Sequence, residues 1–287
     1  MPIAAGFGRI TAREIIAFRR KVFGHYRRYG RDLPFRKTTD PYRITVAEIM
    51  LQQTQVDRVL PRYRSWIKKW PTWRRLAVAG TRELLEMWSG LGYNRRALYL
   101  GRLAQTMVND FGGKLPDDPA ILGTLPGIGP YTARAVLIFA FNRPLVAIDT
   151  NIRRVLIHEF GLPDTVSQAQ LESLAGRLLP RKRSREWHNA LMDYSRLALP
   201  ARIPGVPPLS RQSRFVGSQR QVRGEIIRQL VGKQRITLRV IARDLDLPLE
   251  AVRSAARSLA EDGIVIATDV TARLAKTGEP VRSTRPE

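Results

Sequence analysis

Apolar side chains recur at three-and-four spacing over residues 11–29, 46–59, 61–70, 81–88, 94–111, 131–141, 151–159 and 168–179, the period of helices with one buried stripe. Pro or Gly stands between most of these stretches, and both end helices. Alternation of period two is scarce before residue 200, and no solenoid-length repeat is present. The pattern predicts an all-α domain with short connections over residues 1–199. Residues 200–219 are rich in Pro, Gly, Ser and Arg without helical period, which reads as a linker. Over residues 220–287, helices are predicted at 221–230, 238–245 and 248–261. Asp262-Gly263 then turns into the apolar run 264–267, with 271–274 as partner strand. Three helices and a hairpin make a small winged-helix-like domain, and the polar tail from Thr277 reads as frayed.

Charge narrows the class of partner. The 287 residues hold 49 Lys+Arg against 25 Asp+Glu, a formal net charge of +24. With 44% hydrophobic residues the chain can still bury a core, so a polyanion, nucleic acid ahead of membrane, is the expected partner. There is no cysteine, which excludes disulfides, thiolate zinc sites and cysteine-held iron–sulfur clusters. No apolar run approaches a membrane span and no secretory signal stands at the start. The chain reads as a cytoplasmic, nucleoid-associated monomer.

Two motifs carry chemistry. In Leu125-Pro126-Gly127-Ile128-Gly129-Pro130-Tyr131, two glycines flank one aliphatic residue between a helix ending near Leu122 and one starting at Tyr131. Gly127 and Gly129 allow a tight turn and leave backbone N–H groups open. With the next helix N-terminus they would grip a DNA phosphate without reading sequence. Asp149 then closes an apolar stretch and opens a helix, Asp149-Thr150-Asn151-Ile152-Arg153, so on propensity it is an N-cap. In the C-terminal domain, Arg253 and Arg257 are four apart on one helix face. There they would meet DNA phosphates, form a solvated face or make a protein contact.

These motifs resemble a known family. LPGIGPYTARAVL followed by AIDTNIRRV looks like the helix-hairpin-helix and Gly/Pro…Asp signature of the endonuclease III superfamily of DNA glycosylases. Within it, DPYRITVAEIMLQQTQV (residues 40–56) and Gly90-Leu91-Gly92-Tyr93 look closely like the MutY adenine glycosylases. The match covers roughly residues 11–199, and it implies a two-lobed helical fold acting on double-stranded DNA that contains a mismatch or oxidised base.

The resemblance assigns roles. Glu48 would be the general acid for the departing adenine, with a pKa raised by an apolar pocket. Asp149 would stay ionised beside the cationic sugar, where a carboxylate about 4 Å away could contribute ~4 kcal/mol at an effective dielectric of 20. Tyr131 stands where bifunctional relatives carry a Schiff-base lysine, so a monofunctional enzyme is expected. Tyr131 and Asn151 would orient Asp149 and its water. A duplex base must be flipped out for attack, and Gln53 and Tyr93 match the residues that enter the stack, with Gln52, Thr54 and Leu91 beside them. Phe35 takes the place of a Trp beside the base pocket, next to Arg36.

Departures from the family are equally specific. Leu199 stands where the first cysteine of a [4Fe–4S] loop is expected, so the loop must fold without metal. No cofactor is expected, and the hairpin is a candidate seat for an alkali ion. The winged-helix-like segment replaces the usual domain for 8-oxoguanine recognition. The implied reaction is excision of adenine opposite 8-oxoguanine or guanine. The alternatives are a thymine or uracil glycosylase acting on T:G or U:G pairs, and a non-catalytic DNA-binding protein.

Overall fold

The computed structural model of the chain describes residues 10–200 and 215–276, which hold fourteen α-helices and three short strands. Helix α1 (Ala12–Tyr29) opens on a capping box between Thr11 and Glu14, which satisfies donors left open by the first turn. Helices α2 (Pro41–Leu51) and α3 (Val56–Lys69) follow. They correct the single helix predicted over 46–59. The chain turns at 52–54, where Gln53 takes a left-handed φ of +53°. Pro61 lies inside α3 rather than at a break, because a proline within a helix removes one N–H without ending an otherwise strong apolar stripe.

Next come α4 (Trp73–Ala77), α5 (Thr81–Met87), α6 (Arg95–Asn109), α7 (Pro119–Gly123), α8 (Pro130–Phe141), α9 (Thr150–Phe160), α10 (Gln168–Leu178) and α11 (Ser184–Leu197). Helix α11 is absent from the predicted set, although its sequence WHNALMDYSRL is amphipathic. The chain forms two compact units, one from the described parts of Met1–Ile44 and Gly129–Arg211, the other from those of Thr45–Ile128 and Gln212–Glu287.

In the first unit, α1 and α9–α11 bury one core. Phe18, Val22 and Phe23 of α1 meet Ile152, Val155 and Leu156 of α9, Leu171 and Leu174 of α10, and Trp187, Leu191 and Tyr194 of α11. Trp187 takes Phe18 edge-on at 5.7 Å and Phe23 at 5.2 Å. Asp193, fully buried on α11, receives Arg31 at 2.6 Å and a two-pronged bond from Arg36 at 2.7 and 3.0 Å. A buried carboxylate needs that degree of compensation.

In the second unit, Trp66 meets Trp70 and Trp88 edge-on at 4.7 and 5.6 Å, and Ile49, Met50, Leu76, Leu100 and Met107 are fully buried. This unit also contains α12 (Gln219–Gly232), β1 (Ile236–Thr237), α13 (Leu238–Leu245), α14 (Leu249–Glu261), β2 (Val265–Ala267) and β3 (Thr271–Leu274). The strands run antiparallel in the order β1-β3-β2, with Ile236 opposite Ala272 and Val265 opposite Leu274. Three helices and a three-stranded sheet complete the winged-helix-like arrangement. Strand β1 escapes the sequence pattern because two residues carry no period.

The C-terminal helices are tied to α5 and α6. Arg82 of α5 donates to the carbonyls of Leu230, Val231 and Lys233 at the end of α12, at 2.6 Å for Leu230 and 3.2 Å for Lys233. These are acceptors that the last helical turn cannot satisfy internally. Asp262, just past α14, takes Arg223 of α12 at 2.5 Å and Arg95 of α6 at 3.3 Å. The predicted linker, apart from Pro200 and residues 215–219, and the tail from Thr277 lie outside the described residues.

Candidate active site and nucleic-acid interface

Asp149 is the N-cap of α9. Its carboxylate accepts the backbone N–H of Ile152 at 2.7 Å through one oxygen and the side-chain amide of Asn151 at 2.7 Å through the other. The capping expected from propensity is present, and Asn151 contacts the same carboxylate. Desolvation pushes the carboxyl of Asp149 above the usual range, and the Ile152 and Asn151 donors pull it back down. The net direction opposes the expectation of a permanently comfortable anion. Charge held there is poorly solvated, so a cation forming beside it would gain more than it would in water.

The segment leading to Asp149 is held from behind. Ile148 and Val146 pack on the core of the first unit, and the N–H of Ala147 donates to Nε2 of buried His188 at 3.3 Å. Nδ1 of His188 lies 2.8 Å from the carbonyl of Ser184. A carbonyl only accepts, so Nδ1 carries the proton and Nε2 is free to receive Ala147. Sequence reasoning missed His188, a lone histidine on an apolar helix face 39 residues after Asp149. Tyr131 lies at the start of α8 in this same unit, partly buried.

The hairpin glycines differ from each other. Gly127 has φ +77°, and a Cβ there would stand 2.8 Å from Cβ of Tyr99. It is required by backbone and space alike. Gly129 caps α8 with φ −90°, and a Cβ there would meet nothing within 4 Å. The free protein does not need that glycine. It leaves open the approach to the exposed α8 N-terminus.

Glu48 lies in the second unit. It is the one residue from Ile44 to Met50 of α2 that is not buried, so an acid sits at the edge of an apolar helix. Gln52, Gln53 and Thr54 form the turn after α2. Gln53 is exposed, and so is Tyr93, at 43%, with φ +47°. That exposure excludes a core role for Tyr93. Leu91 corrects an expectation: its side chain is buried, and only its carbonyl serves the neighbourhood, accepting from Thr54 Oγ1 at 3.3 Å and Arg96 at 3.2 Å.

Arg36, expected beside a base pocket, pairs with Asp193 in the first unit. Phe35, in the same short turn Pro34–Arg36, is partly buried. On α14, Arg253 and Arg257 share a face as expected. Both are also paired within the domain: Arg253 donates to the carbonyl of Asp269 at 3.0 Å and lies 3.6 Å from Glu250. Arg257 bonds Glu250 and lies 3.9 Å from the Asp269 carboxylate.

The residues do not fit the [4Fe–4S] cluster that the family resemblance implies. The chain has no thiolate to offer. Leu199, at the position of the first expected cysteine, is buried in the first unit's core. Arg154 of α9 secures the next residue, donating to the carbonyl of Pro200 at 2.6 Å. Among the described residues, no group of three or more His, Asp or Glu side chains is placed to hold a metal ion, and no helix is long and apolar enough to cross a membrane.

Comparison with known proteins agrees with this geometry. The profile of the HhH-GPD superfamily base excision DNA repair proteins matches residues 46–181. The chain is 38% identical to an adenine DNA glycosylase of Mycobacterium tuberculosis over 229 residues, covering 70% of this chain and 74% of that protein. It is 33% identical over 195 residues to a thymine/uracil-DNA glycosylase of Pyrobaculum aerophilum, covering 65% of this chain and 85% of that one. The solved structure of a thermostable thymine-DNA glycosylase matches with a TM-score of 0.61 at 28% identity, covering 66% of this chain and 89% of that chain. The shared fold, the hairpin ahead of a capped aspartate and these relationships establish that the chain is a DNA N-glycosylase of the helix-hairpin-helix base-excision repair superfamily, belonging to its MutY-like group.

Proposed function

We propose that the chain hydrolyses the N-glycosidic bond of adenine mispaired with 8-oxoguanine or guanine and leaves an abasic site without cutting the strand. The observation that carries the substrate is the 38% identity to the mycobacterial adenine DNA glycosylase. The Asp149 arrangement supports the chemistry. As the bond between base and sugar C1′ breaks, Glu48 donates a proton to the leaving adenine and Asp149 faces the developing sugar cation. A water oxygen then bonds to C1′, and its surplus proton passes to a carboxylate or to solvent. Asn151 keeps one oxygen of Asp149 oriented. Tyr131, which has no amine, cannot form a Schiff base, so no β-elimination follows.

Excision of thymine or uracil opposite guanine is the second reading. It is favoured by the relationship to the Pyrobaculum enzyme and by Phe35 in place of an indole.

The test uses duplexes carrying A:8-oxoguanine, A:G, T:G, U:G and hypoxanthine pairs, with and without alkali. Breaks at adenine that form only after alkali are expected. Breaks without alkali would refute the monofunctional assignment, and excision confined to T:G or U:G would establish the second reading. Cleavage by Asp149→Asn and Glu48→Gln at the wild-type rate would remove both residues from the reaction.

A further inference from the structure

Arg96 is the most heavily bonded buried side chain among the described residues outside the catalytic pair, and it has no carboxylate partner. It is the second residue of α6 and is 7% exposed. One terminal nitrogen donates to the carbonyls of Ile49, Met50 and Gln52 at 2.8, 3.0 and 2.7 Å. The other donates to Thr54 Oγ1 at 3.0 Å and to the carbonyls of Leu91 and Gly92 at 3.2 and 3.0 Å. The guanidinium carbon lies 5.1 Å from the ring centre of Trp88 and 5.6 Å from that of Tyr93. Trp88 adds its own N–H to the carbonyl of Gly92 at 3.0 Å.

These acceptors have a common origin. Ile49 and Met50 supply last-turn carbonyls of α2, which the helix cannot bond internally, and a cation at that end complements the helix dipole. Gln52 and Thr54 flank Gln53, and Leu91 and Gly92 precede Tyr93. Gln53 and Tyr93 are exposed and are the only two non-glycine residues of α2–α6 held at positive φ. Such conformations cost of order 1–2 kcal/mol each and persist only where the surroundings impose them. The four N–H of the two terminal nitrogens share these six acceptors while the buried Nε has none, and a planar fork can reach two loops and a helix end at once, which an ammonium cannot.

We propose that Arg96 is the positioning residue for base opening: it locks the Gln53 and Tyr93 tips, and the end of the Glu48 helix, into one preformed wedge. Burial lowers the guanidinium to about 10, and the nearby Tyr93 opposes that shift, so the cation is retained at neutral pH. The proposal rests on the reading that Gln53 and Tyr93 enter the duplex, and its test keeps the two apart.

The probe is a duplex with 2-aminopurine in place of the target adenine, whose fluorescence rises on unstacking whether or not excision follows. Arg96→Met should cut the rate of opening by about tenfold or more, since misplacement on the ångström scale carries penalties of that order. Arg96→Lys, which keeps the charge and loses the fork, should fall between Met and wild type. Gln53→Ala and Tyr93→Ala test the underlying reading in parallel. Should Arg96→Met and Arg96→Lys both open the base at the wild-type rate, the positioning role is wrong. If the tip variants alone behave as wild type, the wedge reading fails and takes the proposal with it. Should Arg96→Met fail to fold, Arg96→Lys with a wild-type melting temperature and slowed opening supports the proposal, and with unchanged opening overturns it.

Discussion

Nε2 of His188 accepts the amide N–H of Ala147, two residues ahead of Asp149. The bond exists only while the imidazole is neutral, and burial lowers the affinity of His188 for a proton, against the bond to Ser184. The unfolded chain therefore binds a proton below pH 6.5 that the folded chain resists. Stability associated with His188 is complete above that pH and declines as pH falls toward the lowered folded value, by at most about 1.4 kcal/mol per pH unit. Urea melts from pH 8 to 5 should show this slope, and His188→Gln should flatten it.

Asp149 has the opposite sign. Its folded carboxyl is pushed up by desolvation, so ionisation at neutral pH costs stability. Asp149→Asn removes that cost together with one of the two acceptors, so its stability should vary less than the wild type's between pH 7 and 3.8. Activity should drop by about 10²–10³-fold or more, the usual loss for a group that stabilises developing charge. A variant that keeps the wild-type pH dependence of stability would contradict the electrostatic account.

Asp193 is a structural counterpart. Burial pushes its carboxyl up, but Arg36 and Arg31 outweigh burial and hold it below the usual range. Its contribution is present above the unfolded value and lost as pH falls through the folded one. Asp193→Asn leaves two guanidinium groups short of a counter-charge and should cost roughly 3–5 kcal/mol in denaturant melts.

The hairpin glycines separate folding from binding. Gly127→Ala meets both a left-handed φ and Tyr99, and should destabilise the protein by roughly 1–2 kcal/mol. Gly129→Ala has space in the free protein, so its melting temperature should hold while affinity for duplex DNA falls. Equal behaviour of the two variants in both assays would argue against a phosphate at Gly129.

Arg253 and Arg257 already have anionic partners in Glu250 and Asp269, so a DNA phosphate would have to compete for them. Replacing both by Ala should lower the slope of log binding constant against log salt by at most about two. Glu250→Gln should tighten binding. If neither change moves DNA affinity, this face serves the fold of the winged-helix-like module alone.

Much of this was legible in the chain because period, caps and hairpin glycines are local. Asp149 could be read as both cap and site because helix-capping geometry and carboxylate chemistry coincide there. Arg96 was missed although it occupies the apolar stripe shared with Leu100, Leu103 and Met107; its six acceptors come from the end of α2, the turn after it and the loop just before α6, a grouping that no helical period records. The Arg36–Asp193 pair and the burial of Leu91 were illegible for a similar reason, since each depends on contacts between separate elements. Neighbours along the chain show what type of residue is present, whereas Asp193 and the core decide which way it is used.

The tie between Arg82 and the end of α12 has a consequence for biosynthesis. Arg82 precedes Leu230 by 148 residues, which at ribosomal rates of about 5–20 residues per second is a delay of roughly 7–30 s. During that interval α5 has been made but its partner helix has not, and its surface must wait or be shielded. A ribosome stalled between Asp149 and α12 would leave the second unit without its closing segment, even with both candidate catalytic carboxylates already translated.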